Sequence, residues 1–222
     1  VEPLAKSPRE YFMSSRVISN QAYDGGSKAV LNHLYKWIGP HSQLMTNALP
    51  ITKQRFVHQG SGTKLFGAQQ LPDALIEDEE RHMLPNKLMW AAEKSDYVLV
   101  LDYGHGYFDN AMRLVLVRGA KFIAVNCQTN SANYGHNLAT RWPSVDFMVL
   151  DGPEHKLAMA NGWQPTTPKS LIVTKGKEGC DYGSSMPSLA RKVVDNVGAG
   201  DVLFGFAACL LSVGADMEVA AF

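Results

Sequence analysis

The chain has 222 residues, enough for one sizeable α/β domain with a real core. Hydrophobic residues make up 45% and charged residues 19%, as in an ordinary water-soluble globular protein, and the equal counts of 21 Lys plus Arg and 21 Asp plus Glu exclude a global basic field of the kind nucleic-acid binders use. The three cysteines, Cys127, Cys180 and Cys209, are odd in number and widely spaced, which predicts free thiols in a reducing compartment; with no long apolar span and no basic-then-apolar leader pattern, the expected location is the cytoplasm.

The first ten residues, with Pro3 and Pro8, are polar and proline-punctuated and read as loop. Residues 11–20 alternate loosely through Phe12, Val17 and Ile18, as one strand of a small sheet would, and end in Asp24-Gly25-Gly26. Apolar residues then recur at helical spacing from Ala29 to Ile38, until Gly39-Pro40 stops the helix. A glycine pair at a helix entrance is either a plain turn or a place where a ligand lies against bare backbone. Residues 51–57 alternate like an exposed strand carrying Lys53 and Arg55, and 58–64 form a turn around Gly60-Ser61-Gly62. Residues 73–94 read as a helix interrupted at Pro85.

Tyr97-Val98-Leu99-Val100-Leu101 is a continuous apolar run, predicting a strand buried in a parallel sheet. Asp102-Tyr103-Gly104-His105-Gly106 follows at its carboxyl end, where open α/β sheets bind ligands. A helical face spans Met112 to Val117, and residues 122–126 form the next buried strand. The loop from Asn126 to Asn137 is too rich in amides to be core, and such a loop after a strand binds something or packs over a site. A further strand, 146–150, delivers Asp151 and Glu154 to the same edge before a helix from His155. Two carboxylates three residues apart there either cap that helix as a capping box or hold Mg²⁺ through water. Residues 170–174 form a strand running into Thr174-Lys175-Gly176-Lys177-Glu178-Gly179, which is either an ordinary turn or a set of glycines and a hydroxyl beside phosphates.

Residues 193–211 read as strand, glycine loop and buried helix, and residues 212–222 begin another helix. Gly198-Ala199-Gly200 lets several backbone N–H groups point at one anion above the helix N-terminus. Asp201 falls in the first helical turn, where the dipole favours its ionised form. A glycine turn capped by Asp serves structure alone in many α/β proteins; a phosphate cradle beside a carboxylate base instead suggests phosphoryl transfer to a hydroxyl.

The full string, Asp195-x-x-Gly198-Ala199-Gly200-Asp201 before an apolar helix, resembles the signature of the ribokinase-like (PfkB) carbohydrate kinases. Residues 102–106 resemble that family's Asp-Tyr-Gly-Lys-Gly turn, with His105 in place of Lys, and Thr52-Lys53-x-Arg55 together with the Asn126-x-Gln128-Thr129-Asn130 loop resemble the kinase domain of ADP-heptose synthase-like proteins. The resemblance implies a single ribokinase-like domain over residues 1–222. Its fold would be a three-layer α/β/α sandwich with a mostly parallel central sheet, shortened at both ends and lacking an opening strand, with a small β lid drawn from 8–24 and 48–67.

By the same resemblance Asp201 would be the catalytic base and Gly198, Ala199 and Gly200 the anion hole. Asp24, Gly25, Gly26, Lys53, Arg55, Asp102 and His105 would face the sugar, although Ala29 stands where the family carries Asn. Asn126, Thr174, Gly176, Gly179 and Asp195 would face ATP. Glu154, with Asp151 where the family has Asn, would hold Mg²⁺ indirectly. The implied activity is ATP-dependent phosphorylation of a sugar hydroxyl, on a heptose or heptose phosphate. The implied partners are that small molecule, a second copy paired through the lid and a linked nucleotidyltransferase domain, with no nucleic acid and no membrane. The alternative is a kinase-like module that binds sugar or nucleotide without turnover. A dehydrogenase is disfavoured, because the Gly-x-Gly-x-x-Gly fingerprint is absent.

Overall fold

The computed structural model describes residues 15–19, 30, 32–34, 36, 42–45, 51–59, 64–71, 73–74, 76–129, 133–142, 144–164, 168–190 and 198–222. Asp24, Gly25, Gly26 and Asp195 lie outside the described residues. Among the described residues no helix is long and apolar enough to cross a membrane.

Eight strands form one sheet: β1 (Ser15–Ser19), β2 (Ser42–Met45), β5 (Tyr97–Asp102), β6 (Ile123–Cys127), β7 (Val145–Asp151), β8 (Pro168–Thr174), β9 (Cys180–Asp181) and β10 (Ser185–Met186). Their spatial order is β10-β9-β8-β7-β6-β5-β1-β2. Every pair from β2 through β8 is parallel; β9 and β10 add antiparallel at the other edge. β3 (Thr52–Val57) and β4 (Lys64–Gln70) form a separate two-stranded antiparallel sheet with Phe56 and Phe66 stacked across it. Residues 15–19, expected in the small sheet, instead occupy an interior position of the large one, between β2 and β5. The expectation failed because Val17 and Ile18 alone make too short an apolar run to signal a buried parallel strand, whereas pairing on both sides is a tertiary choice.

The apolar strands bury both faces, with alternate residues going to opposite layers. Tyr97, Leu99 and Leu101 of β5 and Phe147 and Val149 of β7 pack with Val30, Leu34, Phe204, Ala207 and Ala208. Val98 and Val100, with Met148 and Leu150, pack on the other face against Leu84, Leu88, Met112, Leu116 and Trp142. The three-layer α/β/α architecture follows. The first layer is built on α4 (Ala199–Ser212), continued by α5 (Met217–Ala221); the second holds α1 (Asp78–Glu93), α2 (Asn110–Gly119) and α3 (Gly152–Ala160).

Local sequence explains most helix limits. Three acidic residues, Asp78, Glu79 and Glu80, open α1 and complement its dipole. The helix then runs unbroken through Pro85, where an interruption was expected, because Leu84 and Leu88 on either side are fully buried and packing offsets the lost backbone hydrogen bond. Asp109 caps α2 by accepting from the Met112 N–H at 2.8 Å. α3 begins at Gly152, three residues before the expected start at His155. In α4, Gly205 lets the helix approach its neighbour closely, since a Cβ there would stand 2.9 Å from Val30 Cγ1.

Cys127, Cys180 and Cys209 are buried free thiols, as their spacing predicted. Burial pushes the Cys127 thiol well above its ordinary range, lifts Cys180 and raises Cys209 to about 12. At about pH 8 the native protein is expected to react with a disulfide reagent only as fast as it unfolds, all three thiols labelling in denaturant. A rapid equivalent in native buffer would contradict this packing.

Candidate active site

The carboxyl ends of β5 to β8 lie side by side: Asp102 is in register with Cys127, Asn126 with Val149, and Asp151 with Thr174. The N-terminus of α4 joins this edge through the hydrogen bonds of Asp201. Gly198, the residue before α4, has φ +80°, the left-handed region that glycine adopts without a Cβ penalty. Among the described residues nothing lies within 4 Å of a Cβ built on Gly198 or Gly200.

Asp201, in the first turn of α4, is only 7% exposed. Three donors converge on its Oδ1: Gln128 Nε2 at 2.7 Å, Asn126 Nδ2 at 3.1 Å and the Tyr103 hydroxyl at 3.4 Å. Period-two alternation explains the first two, since Asn126 and Gln128 lie two residues apart and turn to the same face. A carboxylate held this way is ordered and presented at the mouth of the sheet edge.

Next to it, Glu154 completes a capping box on α3. Its Oε2 accepts from the Asp151 N–H at 2.8 Å, and its backbone N–H donates to Asp151 Oδ1 at 2.7 Å. The second oxygen, Oε1, accepts from the Thr129 N–H at 2.7 Å. Burial raises the Glu154 carboxyl to about 7; the Asp151 and Asp201 carboxylates push the same way, and the two backbone N–H groups oppose them. Of the two readings of this pair, the geometry contains the capping box. The all-oxygen donor set suits a hard cation such as Mg²⁺, but both Glu154 oxygens already accept backbone bonds. No group of three His, Cys, Asp or Glu side chains converges among the described residues, and with both Glu154 oxygens engaged the pair suits contact with a cation through water.

The remaining expected residues divide. Asp102 turns away, into the opposite layer: its carboxylate accepts from Gly104 N at 3.0 Å and Trp142 Nε1 at 3.0 Å and pairs with Arg113 Nη2 at 3.6 Å. Burial lifts its pKa against the opposing pull of Arg113 and these hydrogen bonds. It braces the turn instead of facing the sugar side, because the last residue of β5 alternates to the face opposite Leu101. His105 lies half-buried on that turn. Asn126, expected at the nucleotide, directs its amide to Asp201. Thr174 ends β8, and the turn after it closes by Lys175 N–H to Gly179 O at 2.8 Å. Gly179, at φ +102°, has no room for a Cβ against the Met186 carbonyl. Lys53 and Arg55 are on β3 of the small sheet.

Sequence reasoning missed Tyr103, Gln128, Asn133 and Asn137. The Asn133 amide donates to the Tyr103 and Gly104 carbonyls, both at 3.0 Å, and the Asn137 amide to the Asp102 and Gln128 carbonyls at 3.2 and 3.1 Å. The abundance of amides in this loop was the available signal.

Comparison with known proteins bears on the family and the fold. The pfkB family carbohydrate kinase sequence model matches residues 56–222. No curated protein sequence matches. Among solved structures, the chain resembles phosphofructokinase-2 from Escherichia coli in complex with potassium, at 13% identity and a TM-score of 0.60 over 97% of this chain and 75% of that one. Ribokinase from Arabidopsis thaliana, complexed with ribose and ATP, matches at 12% identity and a TM-score of 0.56 over 97% and 75%. The nucleoside kinase of Burkholderia thailandensis in complex with inosine matches at 13% identity and a TM-score of 0.55 over 94% and 70%. At these identities the likeness is one of fold, and the fold is ribokinase-like.

Proposed function

Since the chain belongs to the pfkB family of carbohydrate kinases, we propose that it transfers the γ-phosphoryl group of ATP to a sugar hydroxyl, with Asp201 as general base. The observation that carries this reading is the buried carboxylate of Asp201, anchored by three donors in the first turn of a helix that Gly198 and Gly200 open. Asp201 takes the hydroxyl proton as the oxygen attacks phosphorus. The backbone N–H groups of Gly198, Ala199 and Gly200 lie at the positive end of α4 and stabilise the charge that develops on the transferring phosphoryl group.

On the nucleotide side, Thr174, Gly176 and Gly179, with Asp195, contact ATP. Glu154 and Asp151 would hold Mg²⁺ through water, and the ion would supply neutralisation of phosphate charge. On the sugar side, Asp24, Gly25 and Gly26 bind hydroxyls, His105 lines the site, and Lys53 and Arg55 of the small sheet act as the lid that meets a phosphorylated sugar. These basic residues favour a heptose or heptose phosphate, as in ADP-heptose synthase-like kinases. Pairing of two copies through the small sheet and a linked nucleotidyltransferase domain belong to the same reading.

The test is coupled ADP release by the purified protein with a panel of pentoses, hexoses, heptoses, their phosphates and nucleosides. ATP turnover is expected to depend on one sugar class, with heptoses foremost. Lys53→Ala and Arg55→Ala are expected to raise KM by about tenfold for a phosphorylated sugar and leave ATP affinity unchanged. Sugar-induced thermal stabilisation without ADP release from any member of the panel would establish the non-catalytic binding module instead.

A further inference from the structure

Resting on the reading of Asp201 as the base, we infer that the amide-rich loop after β6 orients that base, with Gln128 as its main positioning residue. Each carboxylate oxygen offers about two lone-pair sites, and three donors meet at Asp201 Oδ1. That oxygen is the anchor of the carboxylate. Gln128 makes the shortest of the three bonds, at 2.7 Å, and it is half-buried at the mouth of the site while Asn126 and Tyr103 lie beneath.

The donors are themselves held independently of α4. The Gln128 N–H donates to the Asp102 carbonyl at 2.8 Å, extending the β5–β6 ladder by one residue. The Asn137 amide bridges the Asp102 and Gln128 carbonyls, and the Thr129 hydroxyl donates to the Asn137 carbonyl at 2.7 Å. The Asn133 amide fixes the Tyr103 and Gly104 carbonyls, so closely that Gly104, at φ +72°, has no room for a Cβ. Asn133 and Asn137 are both buried. The ends of β5 and β6 are thereby riveted together, and the three donors they carry form a preset socket into which the Asp201 carboxylate docks when α4 packs.

Gln128→Ala and the isosteric Gln128→Glu separate positioning from space filling. Gln128→Ala is expected to lower kcat roughly 10- to 100-fold, with melting temperature, ATP Kd and both KM values nearly unchanged. Gln128→Glu is expected to lower it further, since it sets a carboxylate against Asp201. In an Asp201→Asn background neither change should cost anything more, because the group being positioned is gone. A Gln128→Ala enzyme with wild-type kcat alongside an inactive Asp201→Asn enzyme overturns this inference alone; an active Asp201→Asn enzyme overturns the assignment of the base beneath it. A readout independent of any sugar is the crystal structure of Gln128→Ala, where a rotated Asp201 carboxylate supports the inference and an unmoved one refutes it.

Discussion

Asp201→Asn is expected to lower kcat by roughly 10²- to 10⁴-fold while leaving ATP affinity within about threefold of wild type. Asparagine keeps an oxygen at the Oδ1 position, so the Gln128, Asn126 and Tyr103 donors retain their acceptor and the first turn of α4 retains its shape. What disappears is the ability to take a proton, along with a negative charge in a site that is only 7% exposed. The loss is therefore chemical, and it corresponds to about 3–5 kcal/mol of transition-state stabilisation. Steady-state ADP release gives kcat, and calorimetric titration with ATP gives the affinity. Retention of more than a tenth of wild-type turnover would remove Asp201 from the role of base, since general-base catalysis supplies about 10²-fold or more.

The largest effect on stability is expected at Asp102, which the structure moves from the substrate side to the core. Asp102 and Arg113 are both almost fully buried, and Arg113 also lies over the Trp142 ring. Asp102→Ala strands the guanidinium, the Trp142 indole N–H and the Gly104 N–H in a low-dielectric layer. Removing one partner of a buried pair costs about 3–5 kcal/mol, which for a chain of this size lowers the melting temperature by on the order of 10 °C. Asp102→Asn keeps an acceptor for Gly104 or Trp142 and should lose about half as much. A thermal melt of Asp102→Ala indistinguishable from wild type would show that the pair contributes nothing. Activity should fall with it, because the same carboxylate anchors the turn that carries Tyr103 to Asp201.

The central strands were legible because their signal is strong and local: five apolar, largely β-branched or aromatic residues in a row at Tyr97–Leu101 suit a strand covered on both faces. The glycine loop and Asp201 were legible for a similar reason, since Gly198 must adopt a left-handed φ and the carboxylate must follow it into the helix. β1 was misassigned to the small sheet because a five-residue segment with two apolar residues does not announce its neighbours. Asp102 was placed on the wrong side because a polar residue at a strand's carboxyl end belongs to a ligand site or to the core according to one step of alternation.

By itself, then, the sequence determined the local chemistry: buried strands, a glycine turn, two candidate readings for Asp151 and Glu154, and a carboxylate at a helix N-terminus. Each of these follows from backbone sterics, hydrogen-bond needs or hydrophobic periodicity within a few residues. Only the tertiary structure decided which groups meet. Gln128 and Asn126 stand 73 and 75 residues from Asp201, and Tyr103 stands 98 away. Their convergence depends on the register of β5 against β6 and on the packing of α4 over that face, and no local propensity encodes those long-range choices.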